Sequence, residues 1–159
     1  MPSKAVLLAD TLLKQDEILS ELLDNTLKQR EALKGGRLSV LQDLMSGLRH
    51  VSVRCQAIET KRTRSAEDLS RDLGCAAVVS DIVSALRAAG AERADEAQLI
   101  EDSAKKMMET VKKLKMEMAI LARLMEEAKT LNEMLISEWQ KLGQKFLGVG
   151  AMGTFDTRI

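Results

Sequence analysis

The sequence predicts an all-α protein, an elongated antiparallel helical bundle or coiled coil of three long helices plus one short helix. Three observations carry that prediction. Ala, Leu, Glu, Lys, Arg, Met and Gln, the better helix formers, dominate the 159 residues, only 2% are aromatic, and the sole proline is Pro2. Stepping 4, 3, 4, 3 from Ile100 meets Ala104, Met107, Val111, Leu114, Met118, Leu121, Met125, Ala128, Asn132, Leu135, Trp139, Leu142 and Phe146, thirteen of the fourteen positions being apolar. No proline or glycine interrupts the run from Ile100 to Leu142, so the 3.5-residue repeat gives one helix with a continuous seam for other helices. Taken from Asp95 to Leu147, that helix would run roughly 80 Å at the standard rise.

Lys4 to Lys34 reads as the first helix. Ala5, Leu8, Leu12, Leu19, Leu22 and Leu33 follow a heptad interrupted by Gln15, Thr26 and Gln29, while Leu7, Leu13, Ile18, Leu23 and Leu27 widen the stripe toward a second neighbour. Gly35-Gly36 ends it, because glycine costs helix stability and supplies the left-handed residue a helix end wants. Ser39 with Gln42 has the form of a capping box, so the second helix is expected over 39–73, with Gly47 tolerated inside it. Its seam is Leu41, Leu44, Leu48, Val51, Cys55 and Ile58, weakening at Arg62 and Ser65 before Leu69. Arg49, Arg54, Lys61, Arg62 and Arg64 make a local basic stretch, either a solvated face or a docking patch for an acidic partner.

Gly74 breaks the second helix. Residues 75–89 form a short third one, with Val78, Val79, Ile82 and Leu86 on one side and Gly90 as its stop. The long helix then starts at Asp95 or Glu96, negative charge near its N-terminus suiting the helix dipole. Glu101 with Lys105, Asp102 with Lys106 and Glu109 with Lys113 are acid-then-base pairs at i,i+4 that support an exposed face. Residues 1–147 are thus expected to form a single bundle domain, and the glycine-containing residues 148–159 a flexible tail.

Helices one and two pair as a hairpin. If helix four runs back along helix two, it is covered for about 35 residues at the standard rise, and Leu131 to Phe146 projects past the Gly35-Gly36 turn. If the short helix shifts its start, the overhang shrinks. Ile120, Leu124, Leu131, Met134 and Ile136 add apolar surface beyond the seam, which must be buried by the bundle, a second copy or a partner. Six methionines lie in this helix, at 107, 108, 116, 118, 125 and 134; Met serves equally as filler of core gaps and as an adaptable binding surface. Asn132, the polar member of the seam, either fixes register or meets water. Trp139 is either core or an anchor for a partner.

Composition excludes several classes of function. Twenty-four basic residues balance twenty-four acidic ones, which argues against nucleic-acid binding by net charge. Cys55 and Cys75 show no metal spacing, and His50 is the only histidine, so neither a zinc site nor a di-iron site built on paired Glu-x-x-His motifs is available. There is no phosphate loop, nucleophile elbow or HExxH helix. The carboxylates are interleaved with Lys and Arg, so none is expected to be buried enough for a raised pKa. No enzyme activity and no cofactor is expected. The apolar stretch Ala5 to Ala9 is too short for a signal peptide, and nothing approaches a membrane span, so a soluble cytoplasmic protein without membrane insertion is expected.

The order of the pieces resembles a known family. A first helix ends in Arg30-Glu31-Ala32-Leu33, a glycine turn leads into Leu38-Ser39-Val40-Leu41, and a polar helix carries Glu59-Thr60-Lys61-Arg62. A long helix then carries Leu131-Asn132-Glu133-Met134-Leu135-Ile136, followed by a glycine-rich end with Thr154-Phe155-Asp156. This is similar to the FlgN family of flagellar export chaperones over roughly residues 5–156. Arg37 stands where members often have an acidic residue after the turn, and Phe155 where they commonly have Tyr. The resemblance implies a cytoplasmic chaperone that binds hook-filament junction proteins, masks their amphipathic terminal helices and delivers them to components of the flagellar type III export apparatus. It implies binding through the C-terminal part of the long helix, which by matching position means Leu131, Asn132, Leu135, Ile136, Trp139, Leu142 and Phe146. The apolar pattern fits a second class equally: a self-associating coiled-coil scaffold, a homo-oligomer with no export client.

Overall fold

A computed structural model describes residues 1–146 of the chain, with side chains through Gln144. The expected tail at 148–159 lies outside the described residues. The elements are α1 (Lys4–Lys34), α2 (Leu38–Leu73), α3 (Val79–Ala88), a single 3-10 turn (Ala91–Arg93) and α4 (Ala94–Phe146). The fold is all-α, as the periodicity requires, and the described residues contain no strand. The chain divides inside α4 into two parts, Met1–Met118 and Ala119–Ile159.

In the first part, α1 and α2 form the antiparallel hairpin. Lys4 pairs with Asp72 at 2.7 Å, Gln15 Nε2 donates to Glu59 at 2.6 Å, and Asn25 Nδ2 donates to the Leu44 carbonyl at 3.1 Å. The turn between them is built by hydrogen bonds: Arg37 N–H donates to the Ala32 carbonyl and Gly36 N–H to that of Leu33, with Gly36 at φ 67°. These are the two bonds of a Schellman closure, which needs a residue in the left-handed region at that place. Gly74, at φ 66°, closes α2 in the same way, with Cys75 N–H donating to the Ser70 carbonyl.

The first 25 residues of α4 run in the same direction as α1 and opposite to α2. Ser3 Oγ caps α1 by accepting from Val6 N–H and itself donates to Glu96 at 2.5 Å, which sets the two helix starts side by side. Farther along, Thr110 Oγ1 donates to Asp16 at 2.5 Å and Arg30 pairs with Glu117 at 2.6 Å. Within the first part, helix four thus starts near the end of α2 and runs back toward its beginning.

The core sits where the start of α1, the end of α2, α3 and the start of α4 meet. Leu8, Leu12, Leu69, Ile82, Leu86 and Ile100 are its largest fully buried side chains. Fully burying a residue of this size stabilises by about 1.5–3 kcal/mol relative to exposure.

Two local expectations are corrected. The capping box does not form: α2 begins one residue earlier, at Leu38, behind Arg37, which makes no side-chain cap. The third helix is shorter, because Val78 is extended at φ −118° and leaves only Val79–Ala88 helical. Burial along α2 is concentrated toward its C-terminal end: Ile58, Ala66, Leu69 and Ser70 are its buried residues, while the seam residues Leu41 to Cys55 are only half-buried.

Candidate functional site

Residues 119–146 belong to α4, and the reason they are helical is local. They contain no proline, their single glycine is Gly143, and Arg123–Glu127 and Lys141–Glu138 lie within ion-pair distance along the helix at 4.0 and 3.4 Å. Such pairs contribute a few tenths of a kcal/mol each. A helix fixes which side chains share a face: residues three, four and seven apart lie together.

That rule gathers Leu131, Leu135, Trp139 and Leu142 on one face, and all four are exposed, at 58%, 53%, 65% and 50%. Asn132 is exposed within the same stripe and Ile136 is half-buried at its edge. Phe146 is the last residue of α4, and its side chain lies outside the described residues. An exposed surface of adjacent large apolar side chains, with a tryptophan among them, is the signature of a site that another apolar surface covers. Of the six methionines in α4, Met108, Met116, Met118 and Met134 are exposed. At these four positions Met is a surface residue and not a filler of core gaps.

The first part of the chain carries a second apolar surface that the sequence reading missed. Leu38, Val40, Met45 and Val53 of α2 are exposed, at 69%, 42%, 49% and 66%. Beside them Leu27, Ala32, Val40 and Leu44 line a groove of about 310 Å³ rimmed by Lys28 and Glu31. The available signal was the spacing of Leu38, Met45 and Val53, which is helical but out of phase with the α2 seam.

The basic stretch of α2 is partly neutralised. Arg54 grips Glu21 through both terminal nitrogens, at 2.6 and 3.1 Å, and Arg62 Nε donates to Glu59 at 2.9 Å. The hydrogen bond from Arg54 holds the Glu21 carboxyl below the usual carboxylate range, and that from Arg62 does the same for Glu59. Of the five basic residues, Arg49, Lys61 and Arg64 are left without an ion-pair partner among the described residues.

One buried carboxylate was not anticipated, and one expectation about the charged residues is corrected. Asp16 is buried, 5% exposed, accepting from Thr110 with Lys106 Nζ 3.9 Å away. The long helix brings a hydroxyl and an ammonium to it, which intrahelical spacing does not show. The supporting pairs along α4 are also redirected: Glu101 is taken by Arg87 of α3, and Lys106 reaches Asp16 in place of Asp102.

Between α1, α2, the start of α3 and α4 a cleft of about 570 Å³ is lined by Leu12, Val79, Ala104 and Met107, with the Glu59–Arg62 pair on its wall. A carboxylate held low by a guanidinium stays charged near neutral pH and does not serve as a general acid. Cys55 lines a neighbouring groove, and burial pushes its thiol up, away from the reactive thiolate. His50 is exposed. No group of three or more His, Cys, Asp or Glu among the described residues could hold a metal ion, and no helix there is long and apolar enough to cross a membrane.

In comparison with known proteins, no protein-family model matches the chain, no curated protein matches it, and no solved structure matches it.

Proposed function

We propose that the chain is an export chaperone of the flagellar type III pathway, acting in the cytoplasm, which holds hook-filament junction proteins by their amphipathic terminal helices. The observation that carries this reading is the exposed stripe of Leu131, Leu135, Trp139 and Leu142 on α4. The order of sequence pieces that resembles the FlgN family supplies the identity of the client. Asn132 and Ile136 belong to the same surface, and Phe146 continues its heptad.

The mechanism is recognition of one amphipathic helix by another. The client's apolar face desolvates against the stripe, and Trp139 supplies the largest single contact. Masking that face keeps the client from aggregating before export. Nothing in this mechanism requires nucleotide or metal, because binding energy alone drives capture and delivery to the export apparatus drives release.

The test is co-expression with the junction proteins of the same genome, purification by a tag on this chain, and light scattering for stoichiometry. A defined complex with one junction protein is expected, with at least tenfold weaker binding for Leu135→Ala plus Trp139→Ala. Because both side chains are more than half exposed, circular dichroism of that variant stays helical. Unchanged capture by the double variant would remove the site from the proposal. A tight homodimer that ignores every junction protein would favour the scaffold reading.

A further inference from the structure

The seam positions Ala128, Asn132, Leu135, Trp139 and Leu142 are all exposed, so the stripe is uncovered over two heptads. With Asn132 at heptad position a, Trp139 is also an a residue and Ala128, Leu135 and Leu142 are d residues. Leu131 falls at g and Ile136 at e, flanking the seam.

From this we propose that, without a client, two copies of the chain pair in parallel and in register through residues 128–142. Asn132 and the residues flanking the seam select a second copy as the occupant. Asn132 is a polar group in the middle of an apolar seam, so whatever covers it must supply a hydrogen-bond partner for its amide. A parallel copy places the partner's Asn132 at the same layer, where the two amides satisfy each other and fix both register and a two-stranded state. An antiparallel copy centred on the same segment would set it against a leucine instead.

The flanks agree with that choice. In the parallel register, position g of one copy meets e of the next heptad in the other, so Leu131 meets the partner's Ile136 in an apolar contact. Lys129 meets Leu124, and Glu138 meets Gly143, so no like charges oppose each other.

The area sets the strength. Leu131, Leu135, Trp139 and Leu142, half to two-thirds exposed, offer roughly 400 Å² per copy if large side chains carry on the order of 150–250 Å² each. Two copies then bury about 800 Å², under the ~1,200–2,000 Å² of stable complexes. The pair is therefore reversible. Pairing and client capture use the same side chains and exclude each other, a consequence that rests on the proposed function.

The test needs no client. Sedimentation equilibrium of the full chain over rising concentration is expected to show the mass climbing from one copy toward two, with the emission of Trp139 shifting to the blue in step. Leu135→Asp is expected to abolish both changes while circular dichroism stays helical. Leu142→Cys, in a chain with Cys55 and Cys75 replaced by alanine, is expected to form an intermolecular disulfide on oxidation. A single-copy mass at every concentration overturns the proposal. A dimer indifferent to Leu135→Asp overturns its location, and a dimer that fails to cross-link at position 142 overturns its direction. Adding a junction protein separates the two readings: dimers that capture no client contradict the chaperone function alone, and a single-copy chain that captures one contradicts the pairing alone.

Discussion

Glu59 shows how single residues tie the helices together. Its carboxylate accepts from Arg62 on its own helix and from Gln15 across the hairpin, and the Arg62 hydrogen bond is the main reason its carboxyl is held below the ordinary value of 4.5. A lowered pKa in the folded state means stability that is complete above 4.5 and is lost as pH falls below it. The site is mostly exposed, so solvent screening limits the effect to about 0.5 kcal/mol or less. Urea unfolding of the natural chain and of Glu59→Gln, at neutral pH and near pH 3, checks this. The two are expected to differ at neutral pH and to converge in acid; an equal gap at both would assign the difference to packing instead. Asp16 was invisible in the sequence because its partners, Thr110 and Lys106, arrive from ninety or more residues away.

At the scale of elements, the two closures at Gly36 and Gly74 were legible because each rests on one residue type that tolerates the left-handed region. The starts of helices were less so. Ser39 and Gln42 offered a cap, but Leu41 N–H already donates to the Arg37 carbonyl, so Ser39 is the second residue of α2 and its hydroxyl has no cap to make. Gly47 lies in the interior of the same helix, exposed, with nothing within 4 Å of the place a Cβ would occupy. Gly47→Ala is therefore expected to stabilise the chain by about 1 kcal/mol, through helix propensity and a less flexible unfolded state. Thermal or urea unfolding measures it; destabilisation would mean that the groove face of α2 needs the glycine.

At the scale of the whole molecule, the periodicity revealed which residues share a face but not how deeply each face is covered. Along α2 the regular seam is only half-buried from Leu41 to Cys55 and buried at its last member, Ile58, whereas the irregular part beyond it holds Ala66 and Leu69 in the core. The cause is what lies opposite: Ile82, Val83 and Leu86 of α3, with Ala97 and Ile100 of α4, crowd the end of α2. A heptad count carries no information about such neighbours. For the same reason, the apolar surface at Leu38, Met45 and Val53 escaped the reading while the stripe on α4 did not. The stripe announced itself by excess, having more apolar positions than one seam uses.

The central claim is that this stripe takes up a foreign helix, and Trp139, the chain's only tryptophan, reports on it directly. The measurement is its fluorescence during titration with a purified hook-filament junction protein whose own tryptophans are replaced by phenylalanine, at a dilution where this chain alone sediments as a single copy. At 65% exposure in the free chain, Trp139 starts in water. The account predicts a blue shift that saturates at a fixed stoichiometry and is absent when the client lacks its terminal helices. Emission that stays at its solvent-exposed position while a complex demonstrably forms would place the client elsewhere on the molecule and contradict the account.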